Sequence, residues 1–371
     1  MPSILVWDLP LRLFHWLFAA SFAGAWLTAE SDQWLSLHTF LGYLMLGLIG
    51  FRLVWGLAGG RYARFSSFLY RPREGLAYLL QAVRGNAARH LGHNPAGSQA
   101  VFLLLGLGLL VGLSGLFVQG GEEQHGVAAG LLGYAAGKAI KEVHELLASL
   151  MLLVVFAHLA GVALESWLHR ENLPRSMVTG RKQARAGDSA PAARAHYLVA
   201  FLLLLAVAGF SAWWFQYRAA SPGLAFVGKK LPESALWQAE CGSCHQAFHP
   251  SLLPARSWQS LLAQQDRHFG DDLGLDAATV TGLLAFAVPN AAERGATEAA
   301  WKINRSVKAD AAPLRITETP YWARKHREIA AADWNHPKVK SKANCPACHL
   351  DAEAGTYEDA AMRIPGRPDS S

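Results

Sequence analysis

Charged residues make up only 17% of this 371-residue chain, against 52% apolar residues and 13 tryptophans. A soluble domain carries about a quarter charged residues, so the chain as a whole is not one. Cysteine is scarcer still. All four, Cys241, Cys244, Cys345 and Cys348, fall in two pentapeptides, CGSCH and CPACH, which leaves none for a disulfide framework. Of five methionines only Met362 follows Met177, so the last half of the chain has a single thioether to offer as a metal ligand. Long strand-like alternation is missing from residue 229 onward, which argues against a β-sheet domain there.

What is present is a set of apolar runs, at 9–28, 34–57, 98–118, 141–167 and 196–217, each long enough for a bilayer core of about 30 Å. Arg61, Arg64, Arg71, Arg73, Arg84 and Arg89 lie between the second and third runs. Arg170, Arg175, Arg181, Lys182, Arg185 and Arg194 lie between the fourth and fifth. The opposite connections carry Glu30, Asp32, Glu122 and Glu123, with Lys138 their only basic residue. Basic loops stay cytoplasmic, so the amino terminus is expected inside and the carboxy-terminal segment outside the inner membrane of a bacterial cell. The net charge of +6 reports this topology and gives no reason to invoke nucleic acid. The first run contains a histidine and is followed by four more spans, so it reads as a membrane helix rather than a cleaved leader.

Cys-x-x-Cys-His is the attachment signature of c-type haem: two thioethers hold the porphyrin edge and the adjacent histidine ligates the iron. Two covalent haems are therefore expected, on Cys241, Cys244 and His245 and on Cys345, Cys348 and His349. One structural zinc held by four thiolates is the competing reading, but it needs no histidine directly after each pair. The charge asymmetry places both motifs on the outer side, where covalent haem attachment takes place in bacteria.

Four histidines fall inside spans, His15, His38, His144 and His158, and ionisable groups there are rare and functional by default. His144 and His158 are fourteen residues apart, so they share a helical face and differ in height by about 21 Å. Depth pairs His38 with His144 near the outer surface and His15 with His158 near the inner one, which predicts two non-covalent b-type haems with bis-histidine iron. Arg52 reads as a side chain snorkelling to the interface, with neutralisation of a haem propionate as the alternative. His90 and His93 read as solvated loop histidines, with proton transfer to quinone as the alternative.

The stretches VWDLPLRLFHWLFAASFAGAWLT, LHTFLGYLMLGLIGFRLVWG, LGHNPAG and RENLPRSMVTGRK together resemble the bacterial cytochrome b561 family, related to the cytochrome b subunit of nickel-iron hydrogenases. The resemblance covers residues 1–185 and implies a four-helix bundle with two haems that exchanges electrons with membrane quinone. His15, His38, His144 and His158 stand at the family's histidine positions. The fifth span departs from that pattern; residues 186–228 read as a linker and an anchor helix for an exported domain at 229–371.

In that domain, helical stretches are expected at 233–244, 255–269 and 277–288, and another from Thr319, with Pro320 at its first position. Each c-type haem needs a sixth ligand or keeps an open position, and with Met362 the only methionine after Met177, two Met-ligated haems are impossible. The candidates are His249, His268, His326 and His336. The segments ECGSCHQAFHPSLLPARSW, DRHFG, LRITETPYWARKHREI and ANCPACH resemble the dihaem cytochrome c family, small periplasmic carriers with two bis-histidine haems. The resemblance implies His268 as the distal ligand of the first haem and His326, in a basic helical stretch, as that of the second.

The expected fold is all-α: a transmembrane helical bundle plus one anchor helix, followed by a small, mainly helical, periplasmic dihaem domain. The expected function is electron transfer between the quinone pool and a periplasmic acceptor, such as a soluble cytochrome or a small oxygen-binding haem protein. At most this makes the chain a quinol:cytochrome-type oxidoreductase. The alternatives are a haem protein that binds or senses oxygen or nitric oxide, and the anchor cytochrome of a hydrogenase or dehydrogenase.

Overall fold

The computed structural model describes residues 3–30, 34–185, 193–220 and 230–366. These form thirteen α-helices, short 3-10 turns and one two-stranded ribbon, so the chain is all-α. Contacts divide it into two compact units, Met1–Gly115 with Lys141–Tyr217, and Leu116–Ile140 with Arg218–Ser371. The expected junctions at 185/186 and 228/229 fall beside or within 186–192 and 221–229, outside the described residues.

The first unit is built on α1 (Leu9–Leu27), α2 (Leu35–Ala58), α4 (Pro95–Glu122), α5 (Tyr134–His169) and α7 (Tyr197–Ala220), with short α3 (Pro72–Val83) and α6 (Leu173–Thr179). Four segments, Leu35–Ala58, Pro95–Glu122, Tyr134–His169 and Tyr197–Gln216, are long and apolar enough to cross a membrane. The 19-residue α1, with Arg12 and His15 inside it, occupies the first expected span without reaching the same hydropathy. Asp8 starts α1, its carboxylate accepting from the Leu11 amide at 3.0 Å. Side chains of α1 (Leu11, Phe14) pack with Leu48, Ile49 and Trp55 of α2, Leu105 of α4 and Leu203 of α7. A second cluster joins Phe22, Met45, Val111 and Met151.

The ribbon pairs Ser3–Leu5 antiparallel with Arg181–Gln183. It continues through Gly180, whose carbonyl accepts from the Val6 and Trp7 amides at 2.8 and 3.0 Å. Gly180 sits at φ +80, and a Cβ there would stand 2.6 Å from the Trp7 carbonyl oxygen, so only glycine closes this turn without strain. Across 169 residues of sequence, Trp7 Nε1 donates to Ser176 Oγ at 3.3 Å.

The second unit contains α8 (Ala235–Cys241), α9 (Ala255–Ala263), α10 (Ala277–Ala287), α11 (Glu298–Ser306), α12 (Pro320–Lys325) and α13 (Ala331–Trp334). Trp237 and Trp258 meet edge to face at 5.2 Å. Both indoles are satisfied, donating to the carbonyls of Phe248 at 3.0 Å and Pro250 at 2.7 Å; this fixes the chain that follows the first CxxCH. Residues 116–140, expected with the membrane domain, cluster with this unit instead. Within them Gly121 and Gly137 touch backbone to backbone, a Cβ on Gly121 lying 2.5 Å from the Gly137 Cα. The Tyr134 amide donates to the Ala296 carbonyl at 3.0 Å, and its ring packs on Trp301 at 5.3 Å.

Candidate haem-binding sites

The eight histidines singled out in the sequence come together as four pairs. Ring centres are 6.5 Å apart for His15 and His158, 6.3 Å for His38 and His144, 6.3 Å for His245 and His268, and 6.2 Å for His326 and His349. None of these is close enough for direct ring packing with a hydrogen bond between imidazoles. A metal–imidazole bond of about 2.0 Å on each side, with about 1.1 Å from ring centre to nitrogen, sets two ring centres about 6.2 Å apart. Each pair therefore has the separation of two imidazoles on opposite faces of one iron.

Tautomer control points the same way. An iron ligand normally donates its second ring N–H to a carbonyl, which leaves Nε2 for the metal. His38 Nδ1 faces the Ala25 carbonyl at 2.8 Å, and His144 Nδ1 faces the Val111 carbonyl at 3.1 Å and Ser114 Oγ at 3.0 Å. His245 Nδ1 faces the Gln246 carbonyl at 2.7 Å, and His326 Nδ1 the Trp322 carbonyl at 2.9 Å. The room for His144 is made by Gly115, where a Cβ would stand 3.2 Å from the imidazole Cε1. Neither Gly115 nor Ser114 was singled out in the sequence; the only signal was their place opposite an intramembrane histidine.

In the second unit α8 ends on Cys241. The other motif forms one tight turn, the amides of Cys348 and His349 donating to the Cys345 carbonyl at 3.1 and 2.9 Å, which sets both sulfurs and the imidazole at one turn's spacing. Thr319 caps α12 and Pro320 opens it, as expected. The helix stops at Lys325, however, and His326 is its C-cap rather than a helical residue. Trp322 stacks on His326 at 4.3 Å and locks its ring. Gln246 Nε2 donates to the Ala352 carbonyl at 2.6 Å, directly linking the segments that follow the two motifs.

Of the alternative histidines, His249 engages both ring nitrogens, with Ser251 Oγ at 2.8 Å and the Pro232 carbonyl at 3.3 Å. His336 Nδ1 accepts from the Lys338 amide at 3.3 Å. Burial pushes the Cys241 and Cys345 thiols up to about 11, which disfavours the thiolates that zinc requires. Among the described residues no three His, Cys, Asp or Glu are grouped to hold a metal ion.

Two expectations about loop-side polar groups are corrected. Arg52 does not snorkel: it is 1% exposed, and neither terminal nitrogen has a hydrogen-bond partner. Its guanidinium lies 4.4 Å over the Phe65 ring, worth about 2 kcal/mol when desolvated, whereas burying an ion costs on the order of several kcal/mol. His93 is not a solvated loop residue either. Its ring is sandwiched by Phe68 at 4.1 Å and Trp7 at 4.8 Å, and burial, with the charge of Arg52 next, pushes it down to about 3. Sequence shows that Arg52 lies near the end of a span and His93 in a loop, but not which way either side chain turns.

Apolar helices long enough to cross a membrane, paired histidines and two CxxCH turns define a membrane haem protein of electron transfer, with b-type and c-type haems in separate parts. Residues 6–180 match the prokaryotic cytochrome b561 family and residues 237–357 the dihaem cytochrome c family, and the chain belongs to both, one in each part. The solved diheme cytochrome c from Rhodobacter sphaeroides is 38% identical over 35% of this chain and 100% of its own, with a TM-score of 0.31. The diheme cytochrome type c from Shewanella baltica OS155 is 33% identical over 38% of this chain and 99% of its own, again with a TM-score of 0.31. At such TM-scores the superpositions carry no argument, and membership rests on the sequence matches. None of the curated proteins matches the chain.

Proposed function

We propose that this protein carries electrons between membrane quinol and a soluble periplasmic acceptor, using two b-type haems on His15 with His158 and His38 with His144. Two c-type haems follow, on His245 with His268 and His326 with His349. The observation that carries this reading is that eight histidines form four pairs with ring centres 6.2–6.5 Å apart, a separation that would let both rings of a pair hold one iron. Ligation by both rings would leave no position open for oxygen or nitric oxide, which disfavours the sensory alternative. The haems, when bound, supply reversible one-electron chemistry.

The chain's own residues bind, orient and insulate. α5 carries a ligand for each membrane site on one face, fourteen residues and about 21 Å apart. Backbone carbonyls and Ser114 hold the imidazole tautomers, and Trp322 and Tyr357 pack on the second c-type site, the latter 5.4 Å from His349. The basic connections between spans two and three and between four and five support an amino terminus in the cytoplasm and an exported carboxy-terminal part.

Quinol added to sealed membrane vesicles should reduce the b bands before or together with the c bands; c-band reduction without the b bands would remove the membrane haems from the path. His326→Ala should leave one c-type haem five-coordinate, read as a high-spin band and carbon monoxide binding to the reduced protein. An unchanged low-spin spectrum would free His326 of that role.

A further inference from the structure

The strongest unexplained feature of the first unit is a buried cation whose terminal nitrogens have no hydrogen-bond partner among the described residues. Arg52 is buried on α2, its NH1 and NH2 both without hydrogen-bond partners. The nearest acid, Asp8, is already committed: its carboxylate accepts from the Leu11 amide at 3.0 Å and from the Trp55 indole at 3.2 Å. The Phe65 ring covers one face of the guanidinium and leaves its edge undirected. A second, independent orphan stands close by. His93 Nδ1 is buried without a partner, and His93 lies within electrostatic reach of both Arg52 and His158. Two unsatisfied polar groups therefore lie within electrostatic reach of each other, and one of them, His93, also lies within reach of His158. A buried cation persists when an anion completes it, and a guanidinium edge matches a planar carboxylate with two parallel N–H bonds.

We propose that Arg52, with His93 beside it, binds a propionate carboxylate of the b-type haem held between His15 and His158. The inference rests on the bis-histidine reading of that pair and adds two residues to its site. A phospholipid head group offers the same anionic chemistry, but at 1% exposure Arg52 is closed to the lipid surface. The carboxylate therefore has to arrive on a molecule that enters the bundle, and its negative charge is neutralised only while Arg52 is there. Ferric haem is favoured by a neighbouring uncompensated negative charge, so the cation raises the potential of this haem alone.

The test is spectroelectrochemical titration of the full-length protein, wild type beside Arg52→Gln and Arg52→Lys, following the two b-type haems as separate components. In Arg52→Gln one b-type haem should move to a lower potential, with its reduced-to-oxidised ratio at fixed poise falling about tenfold, or about 59 mV for a one-electron couple. The other b-type haem and both c-type haems should stay put, and Arg52→Lys should recover most of the shift. Loss of that one haem in Arg52→Gln, with retention in Arg52→Lys, supports the proposal equally. Unshifted potentials at full haem content would overturn it. So would loss of both b-type haems in both variants, which is the outcome of a merely structural arginine. If the wild-type protein holds no b-type haem, the bis-histidine reading itself fails, and the two failures are thereby told apart.

Discussion

Replacing His144 by alanine should remove one b-type haem and leave the other three haems in place. The two histidines on α5 are about 21 Å apart, and His158 pairs with His15 of α1. The His144 site is instead closed by His38, Val111, Ser114 and the space left by Gly115, so nothing ties the loss of one haem to loss of the other. Haem per protein should fall by one quarter, the c bands should be unchanged in position, and quinol-driven reduction of the c-type haems should drop to background. Gly115→Val should mimic this without touching a ligand, since even a Cβ stands 3.2 Å from the His144 ring. A His144→Ala protein with full haem content would refute the pairing. Parallel loss of both b-type haems would show that the pockets are not independent.

A second large effect is expected from Glu358. This acid is 3% exposed, and its pKa is pushed up to about 9, first by burial and then by the negative charges of Glu123, Asp351, Glu298 and Asp359. Its amide is fixed to Asp351 at 2.7 Å, so the side chain cannot readily swing out. In the unfolded chain this carboxyl titrates near 4.5. Between about 4.5 and about 9 the unfolded state has therefore shed a proton that the folded state keeps, and stability falls as pH rises through that window, by up to about 1.4 kcal/mol per unit. Below 4.5 this contribution is fully present; above 9 both states are ionised and the slope vanishes. The full-length protein should melt several degrees lower at pH 8 than at pH 6, with the c-type haem absorbance as probe. Glu358→Gln should flatten that dependence and raise the pH 8 midpoint. An equal slope in the variant would exonerate Glu358.

Much of the membrane part was legible because hydropathy and histidine depth are local signals. Each of the five expected spans is a helix, and the rings of His15 and His158 and of His38 and His144 lie 6.5 and 6.3 Å apart. Hydropathy marks the span and not the helix, however. The apolar run 141–167 sits in a helix running Tyr134–His169, because residues such as Lys138 and Lys141 are helix formers whatever their polarity. α11 escaped notice for the converse reason: EAAWKINRS is polar overall, yet buries Ala299, Ala300 and Ile303. The placement of residues 116–140 with the dihaem part could not be read at all, since Tyr134 meets Ala296 and Trp301, partners more than 160 positions away. Of the candidate haem sites, the motifs and the paired histidines were visible. The carbonyls, the glycine and the stacked tryptophan that orient them were not, because only the fold brings them together.

The ribbon between Ser3–Leu5 and Arg181–Gln183 sets a timetable for biosynthesis. At roughly 5–20 residues per second, the first strand waits on the order of ten seconds or more on the ribosome for a partner that emerges only after α5. Both membrane histidine pairs also draw one member from α5. On the reading proposed above, neither iron pocket would exist on the nascent chain until that helix is inserted, so porphyrin would be captured by an almost finished bundle. A translation product halted before residue 134 should stay colourless however much haem the cell supplies.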